Sequence, residues 1–235
     1  MPQHKQLIKN LPGGTTRYVA VIGDMKESRS LTNRYTAQEE LKEVLKEINI
    51  KYEDDLASKF LITLGDEFQG LLYSSVNVLE IIKYIQKKMF PVTFRFGVGI
   101  GTISTEINPN AAIGSDGPAY YAAREMVEDL RIKEKKNKTQ EGDIQFSIYG
   151  ESFFEIEQIN TLLNLIKLIE DKWKHEQRLT IWDMIEHGGS QHDCAIRMNT
   201  TQSTVGRRLS GGNYYLYEKA LVVTKKSIAS LEEIV

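Results

Sequence analysis

The spacing of apolar and polar positions along this chain follows two patterns, and the pattern changes near residue 150. Before that point, β-rich runs such as Arg17 to Gly23 and Val92 to Ile103 alternate with amphipathic helical spacing, as in Thr36 to Ile50. After it, apolar residues recur only at helical spacing, beginning with Phe153 to Trp173. The pattern predicts an N-terminal tail over residues 1–16, a mixed domain over 17–150 and a helical domain over 151–235.

The mixed domain follows the order strand, helix, hairpin, helix, strand, helix, strand. The hairpin joins Lys59 to Leu64 with Phe68 to Tyr73, and the last strand is Asp143 to Tyr149. This order predicts an α+β two-layer sandwich related to the ferredoxin-like split βαβ, with helices on one side of a mostly antiparallel sheet. Three glycines in Val92 to Ile103 predict a central strand with a surface open to close approach.

Three carboxylates stand where apolar runs end. Asp24 closes the run VAVIGD, while Asp66 and Glu67 follow Gly65 at the turn of the predicted hairpin. Acidic side chains at neighbouring strand ends can share one or two Mg²⁺ ions, because that cation prefers oxygen ligands and nucleotide phosphates. The sequence therefore indicates a nucleotide site. A plain turn is the alternative at each Gly-Asp pair.

In the helical domain, four positions have the spacing of a helix-turn-helix. They are the small Ala195, a turn at Asn199, and the apolar Val205 and Leu209. The predicted recognition helix runs from Thr201 to Leu209 and directs five polar side chains outward to DNA: Gln202, Ser203, Thr204, Arg207 and Arg208.

Charge supports the same interpretation locally. From Ala195 to Lys226 there are six Arg or Lys against one acid, Glu218, although the whole chain carries a net charge of -2. A basic stripe of this kind suits phosphate contacts with double-stranded DNA, and specific binding implies a dimer. A helical module that binds another protein is the alternative.

Composition excludes several classes of protein. The single cysteine, Cys194, excludes an internal disulfide, and a net charge of -2 argues against a wholly basic nucleic-acid coat. No apolar run approaches the ~18 residues of a membrane span, and the start lacks the features of a secretion signal. We therefore expect a cytoplasmic protein with no membrane partner.

Four motifs between residues 17 and 150 together resemble the class III nucleotide cyclase and GGDEF superfamily. They are Asp24 after the first strand, LGDEF at the hairpin, RFGVGIG in a later strand and GPAYYAAR at a helix start. More closely, VIGDMKESR, LGDEFQGL and IGSDGPAYYAAR are similar to the SatD family of bacterial proteins. The resemblance implies a ferredoxin-like, nucleotide-cyclase-type sandwich followed by an all-α DNA-binding segment.

The resemblance also implies roles for individual residues. Asp24 and Asp66 fall on the carboxylates that hold Mg²⁺ or Mn²⁺ in cyclases, and Glu67 falls on the second acid of the turn. Arg124 falls where cyclases place an arginine on the transition-state phosphate, so it is the catalytic candidate. Gly65 and Tyr120 fall at the site of a bound nucleotide triphosphate. Independently of the resemblance, Lys26 and Arg29 follow the Asp24 turn closely and could add positive charge near its β- or γ-phosphate. For the cations, ordinary surface ion pairs are the alternative.

Two departures leave the activity open. Tyr120 stands where cyclases have an asparagine, and Ile62 stands where they have the lysine that reads the purine. The interpretation is a SatD-like, homodimeric, nucleotide-responsive DNA-binding regulator. The alternatives are an active metal-dependent nucleotide cyclase or nucleotidyltransferase whose helical domain mediates assembly, and a degenerate scaffold that binds neither ligand.

Overall fold

The computed structural model describes residues 16–27, 33–137 and 142–234, so Arg29 and nearly all of the predicted N-terminal tail lie outside the described residues. Within these ranges the chain forms five strands and eight α-helices. In chain order they are β1 (Tyr18–Met25), α1 (Arg34–Lys51), β2 (Leu56–Leu64), β3 (Glu67–Leu72), α2 (Val78–Lys88), β4 (Phe94–Gly101), α3 (Pro118–Asn137), β5 (Ile144–Ile148), α4 (Phe154–Glu170), α5 (His175–His187), α6 (Gln191–Arg197), α7 (Gln202–Gly211) and α8 (Tyr214–Ile234).

The five strands form one sheet in the order β2-β3-β1-β4-β5. Strands β2, β3, β1 and β4 pair antiparallel in that order, and β5 pairs parallel with β4. The predicted hairpin is present, and Gly65 at its turn has φ +61°, a conformation that glycine adopts without strain. The predicted α+β fold is confirmed.

Helices cover both faces of the sheet, which differs from the prediction of helices on one side. Val19 and Val21 of β1 belong to the core under α1 and α2, whereas Ala20 and Ile22 pack with residues of α3. The strand is buried along nearly its whole length because successive side chains alternate between two covered faces. A third layer is therefore added to the expected sandwich.

Glycines in β4 explain how α3 reaches the sheet. A Cβ atom at Gly97 would lie 1.9 Å from the carbonyl oxygen of Ala123, and one at Gly99 would lie 2.1 Å from that of Ala119. No side chain fits at either position, so the helix backbone rests directly on the strand. The predicted close-approach surface is confirmed, and its occupant is a helix of the same chain.

The opposite face carries the larger core. Phe68, Phe94 and Phe96 are fully buried there and meet edge to face or tilted, with ring centroids about 6 Å apart. Leu41 of α1 and Ile82 of α2 close over them. Each fully buried side chain of this size contributes roughly 1.5–3 kcal/mol of transfer free energy, so this face anchors the strand ends that carry the acids.

Helix α4 continues this core into the helical part. Its Ile159, Leu163 and Ile166 are buried, and the helix packs against both β5 and α8. The division of the chain at residue 150 therefore stays a prediction. Among the described residues, no helix has the length and apolarity needed to cross a membrane.

Helices α5, α6 and α7 form a compact three-helix unit with helix-turn-helix geometry. Ala195, Val205 and Leu209 are buried, and Asn199 has φ +49° at the turn, as the spacing predicts. Ser190 begins α6 by accepting a hydrogen bond from the backbone N–H of Asp193. The sequence analysis did not single out α8, whose backbone carbonyl at Ile228 accepts a 2.9 Å hydrogen bond from Ser75.

Candidate functional site

Asp24, Glu67 and Arg95 form a row across three neighbouring strands. Asp24 is the register partner of Glu67 in β3 and of Arg95 in β4. Cross-strand partners project to the same face with Cβ atoms about 4.5–5.5 Å apart. This face is the one covered by α3, because Asp24 follows Ile22 at a spacing of two. The row therefore lies at the end of the sheet beneath α3.

Two arginines bind the carboxylate of Asp24, which is only 7% exposed. Arg95 donates a hydrogen bond of 2.8 Å to Oδ2, and Arg131 of α3 donates bonds of 2.7 Å to Oδ1 and 3.2 Å to Oδ2. Burial of a carboxylate without such partners would carry a large desolvation cost. The hydrogen bond to Asp24 in turn raises the pKa of Arg131.

Glu67 has its own arginine. Arg124 of α3 donates hydrogen bonds of 3.0 Å and 3.1 Å to the two carboxylate oxygens of Glu67. The guanidinium is more than half exposed at this position. The catalytic candidate Arg124 therefore binds Glu67, the cross-strand partner of Asp24, within one chain.

Asp66 is bound from the opposite layer. Arg34 of α1 donates two hydrogen bonds to it, of 2.9 Å and 3.0 Å, and Gln38 donates one of 3.3 Å. Gln38 also donates to the carbonyl oxygen of Gly65 at 2.6 Å, which fixes the turn. Helix α3 thus holds Asp24 and Glu67, whereas α1 holds Asp66.

Lys26 extends the ionic network to the far side of the sheet. Its ammonium lies 2.6 Å from Glu134 of α3 and 2.5 Å from Asp143, which precedes β5. Burial lowers the pKa of Lys26, but the charges and hydrogen bonds of these two acids outweigh it and raise the pKa overall. Lys167 of α4 lies 3.5 Å from Asp143. A charged path thus joins the strand-end row to the helical part.

Tyr120 and Gly65, the other residues predicted to bind a nucleotide, lie outside this ionic network. Tyr120 is buried in the small apolar cluster beneath α3, beside Ala20, Ile22 and Leu71. Burial raises the pKa of its hydroxyl, which has no hydrogen-bond partner among the described residues. Gly65 is exposed at the hairpin turn.

The arrangement does not fit a preformed site for Mg²⁺ or Mn²⁺. Asp24, Asp66 and Glu67 are each bound by at least one arginine, and a divalent cation would have to displace those guanidinium groups against like-charge repulsion. In the described part of the chain, no group of three or more His, Cys, Asp or Glu side chains is placed to hold a metal ion. Metal binding by these acids stays a prediction.

The sequence analysis missed the partners of the three acids. Arg34, Arg95 and Arg131 were not singled out as a group, although a charged residue inside the apolar run of β4 was a signal for Arg95. A buried arginine in a strand requires an acid nearby. Its partner on the neighbouring strand is Asp24.

The exposed side of α7 is the candidate nucleic-acid interface. Gln202, Ser203 and Arg207 are exposed, and Thr204 is half-buried. Arg208 does not point outward as the helical phase predicts, because its guanidinium donates a 2.6 Å hydrogen bond to Glu176 of α5.

The cap of α7 leaves its first turn accessible. Thr201 accepts a 3.2 Å hydrogen bond from the backbone N–H of Thr204. Arg207 makes one long contact of 3.5 Å, with the hydroxyl of Thr204. Its guanidinium therefore remains the more available of the two arginines on this helix.

The fold and the strand-end row define a protein with an α+β domain that continues into a helical part. The model of the SatD family matches residues 18–228, and the chain belongs to this family. No curated protein matches the chain.

The chain is similar to several solved structures at low identity. A bacterial light-regulated adenylyl cyclase is 10% identical, with 56% of this chain and 75% of that chain covered and a TM-score of 0.41. The adenylyl cyclase CyaB from P. aeruginosa is 11% identical, with 48% and 71% covered and a TM-score of 0.38. A regulator of polyketide synthase expression from Bifidobacterium adolescentis is 12% identical, with 92% and 80% covered and a TM-score of 0.27.

Proposed function

We propose that this protein is a cytoplasmic DNA-binding regulator whose cyclase-like domain binds a nucleotide triphosphate. The observation that carries the proposal is the helix-turn-helix unit with an unobstructed α7. Val205 and Leu209 fix the inner face of that helix, which leaves Gln202, Ser203 and Arg207 on the outer face. A helix presented in this way is suited to the major groove of double-stranded DNA.

Phosphate contacts would supply most of the affinity for DNA. Arg207 is available to phosphate oxygens, whereas Arg208 is engaged with Glu176. Arg208 would then act by holding α7 against α5. The side chains that read bases would be Gln202, Ser203 and Thr204.

The strand-end row supports binding of a nucleotide more than its turnover. Arg95, Arg124 and Arg131 lie at this end of the sheet, each bound to a carboxylate, and phosphate oxygens can compete with carboxylates for guanidinium groups. Catalysis of phosphoryl transfer would require the acids to be released from their arginines to hold a metal. Tyr120 is buried instead of presenting a polar group at the row.

An active cyclase or nucleotidyltransferase is the second candidate. It is favoured by one observation: Asp24 and Glu67 are cross-strand partners, and Arg124 forms an ion pair with Glu67. Incubation with ATP or GTP and Mg²⁺ or Mn²⁺, followed by chromatography, decides between the two. Formation of a cyclic nucleotide or dinucleotide product would support the enzyme and contradict the proposal that the nucleotide is only a bound ligand.

The DNA-binding unit implies a homodimer, since one recognition helix binds weakly and two can occupy half-sites about one DNA turn apart. Light scattering of the full chain at micromolar concentration tests this. The main experiment is a gel shift with a pool of random duplexes at low salt, with and without ATP or GTP. Absence of any shifted duplex overturns the regulator proposal.

A further inference from the structure

A cavity of about 380 Å³ lies where the helical part meets the sheet. Its walls come from α2, the start of β4, α4, α5 and α8. Small-molecule sites commonly have volumes of ~300–1,000 Å³. None of the acids Asp24, Asp66 and Glu67 lines it, so it is separate from the strand-end row.

The charges of the cavity wall are paired, with one exception. Lys83 lies 2.6 Å from Glu170, and Lys225 lies 3.4 Å from Glu80. Arg178 of α5 also lines the cavity, but it has no carboxylate partner among the residues that the structure describes. Its one hydrogen bond there, of 2.6 Å, goes to the backbone carbonyl of Glu170. Since a guanidinium carries five N–H donors, Arg178 can bind an anion.

Aromatic rings surround this guanidinium. It lies 5.0 Å from the ring centroid of Phe90 and 5.5 Å from that of Trp182, and these two rings meet edge to face. Both aromatic residues line the cavity. They give a flat ligand apolar surface next to the positive charge.

Two acceptors in the wall lack donors. Gln86 Oε1 and Asp171 Oδ2 are buried without a hydrogen-bond partner in the described part of the chain, and both residues line the cavity. A buried polar atom left without a hydrogen bond is destabilising. A ligand that donates N–H or O–H groups here would remove that destabilisation.

We infer that this cavity is a binding site for a small planar anion that also carries N–H or O–H donors. Arg178 binds the anionic group, Phe90 and Trp182 contact the ring, and Gln86 and Asp171 accept from the donors. The anion can be a carboxylate or a phosphate, since a guanidinium binds both.

The occupant would contact the helix that supports α7. Helix α5 places Arg178 and Trp182 at the cavity, and the same helix places Glu176 against Arg208. The inference about the cavity does not depend on DNA binding, and its test uses no DNA.

The test is calorimetry of the full chain with three ligands. 4-Aminobenzoate supplies a carboxylate and an amino donor, adenosine monophosphate supplies a phosphate and an amino donor, and benzoate lacks the donor. We expect at least one of the first two to bind with a Kd below about 1 mM, and benzoate to bind several-fold more weakly than 4-aminobenzoate if a carboxylate is accepted. Binding of adenosine monophosphate alone would assign the site to a phosphate.

Nuclear magnetic resonance locates the ligand. The chain has two tryptophans, and only Trp182 lines the cavity, while the indole N–H of Trp173 donates to the carbonyl oxygen of Gly212 at 2.7 Å. Because the guanidinium of Arg178 also lies 5.3 Å from the ring centroid of Trp173, both indole signals should shift on binding, and that of Trp182, which lines the cavity, should shift more. Binding that leaves the Trp182 signal unchanged overturns the assignment to this cavity.

Matched variants complete the design. Arg178→Gln should weaken binding at least tenfold, and Lys46→Gln, a charge change at an exposed position on α1, should leave it unchanged. Gln86→Leu removes one unpaired acceptor and should reduce the preference for the amino-bearing ligand. Failure of all three ligands to bind below about 1 mM, or full affinity in a folded Arg178→Gln variant, overturns the inference.

Discussion

Asp24 and Glu67 are cross-strand partners in the β1–β3 ladder, yet each carboxylate is bound by a different arginine of α3. Arg131 binds Asp24, and Arg124 binds Glu67. Two acids in this position would repel each other if they were left unpaired. The arginines remove that repulsion, and they also occupy the carboxylate oxygens that a metal would need.

Replacement of Asp24 tests which role the acid has. In Asp24→Asn the negative charge between Arg95 and Arg131 is lost with little change in shape. We expect ATP or GTP to bind about three- to tenfold more tightly in the presence of chelator, because two guanidinium groups become free for phosphate oxygens. Calorimetry measures this, with the exposed Asp54→Asn as the matched control.

If Asp24 holds a metal, Asp24→Asn should change the affinity for ATP or GTP in the opposite direction. If Asp24 holds Mg²⁺ or Mn²⁺, triphosphate binding will require the divalent cation and will fall in Asp24→Asn. That result would support the metal site expected from the sequence and would contradict binding by the arginines alone.

Arg207 and Arg208 should differ in their effects on DNA. Arg207→Ala should weaken binding at all sequences and reduce the salt slope by about one unit, because one phosphate contact is lost. Arg208→Ala should change the slope less and instead lower stability, because its guanidinium is bound to Glu176. Fluorescence anisotropy at several salt concentrations measures the slopes.

The control for these variants is Lys46→Ala on α1, which is exposed and far along the chain from α7. Circular dichroism checks the helical fold of each variant. If the dependence of DNA affinity on salt concentration were reduced equally in both arginine variants, Arg208 would have to leave Glu176 and contact the DNA.

The ion pairs of Glu134 predict a dependence of stability on pH. Burial raises the pKa of Glu134, but the hydrogen bonds and charges of Lys26 and Arg95 outweigh it and leave the pKa below its ordinary value of 4.5. The stabilisation is therefore complete above the unfolded-state pKa and is lost as the pH falls through the folded-state pKa. Glu134→Gln should be less stable than the natural chain at pH 7, and this difference should shrink below about pH 4.5.

Urea denaturation at several pH values measures that difference. The exposed Glu157→Gln is the control and should show little pH-dependent change. A constant difference between the natural chain and Glu134→Gln across the acid range would exclude the ionic origin of the stabilisation.

The buried side of α7 should dominate the stability of the three-helix unit. Leu209 is fully buried, so Leu209→Ala should cost about 2–4 kcal/mol in free energy of unfolding. Ser203→Ala on the exposed side should cost less than about 0.5 kcal/mol. Thermal and urea denaturation compare the two. Equal losses would indicate that α7 packs with a different face inward.

Local rules predicted much of the fold. Asn199 adopts the turn conformation expected between two helices, and Ser190 caps α6, because both effects depend only on neighbouring residues. The glycines of β4 also predicted that another element packs closely against this strand. They did not say which element approaches, because that depends on packing across the sheet.

The pairing of charges could not be predicted in the same way. Lys26 and Asp143 are 117 positions apart, and Arg34 and Asp66 are 32 apart. Helical phase placed Arg208 outward, but a long side chain can turn back to an acid such as Glu176 on a neighbouring helix. Such contacts follow from the assembled fold and not from the spacing of residues along the chain.

The contacts of α8 with the loop after β3 and with α2 have a consequence for how force and cleavage act on this protein. Because α4 leaves β5 and α8 comes back to Ser75 and Glu80, the segment from α5 to α7 is secured at both of its ends. A single protease cut between α4 and α5 would leave the two fragments associated through α8. Any movement of the helix-turn-helix unit relative to the sheet must therefore bend the chain at two connections at once.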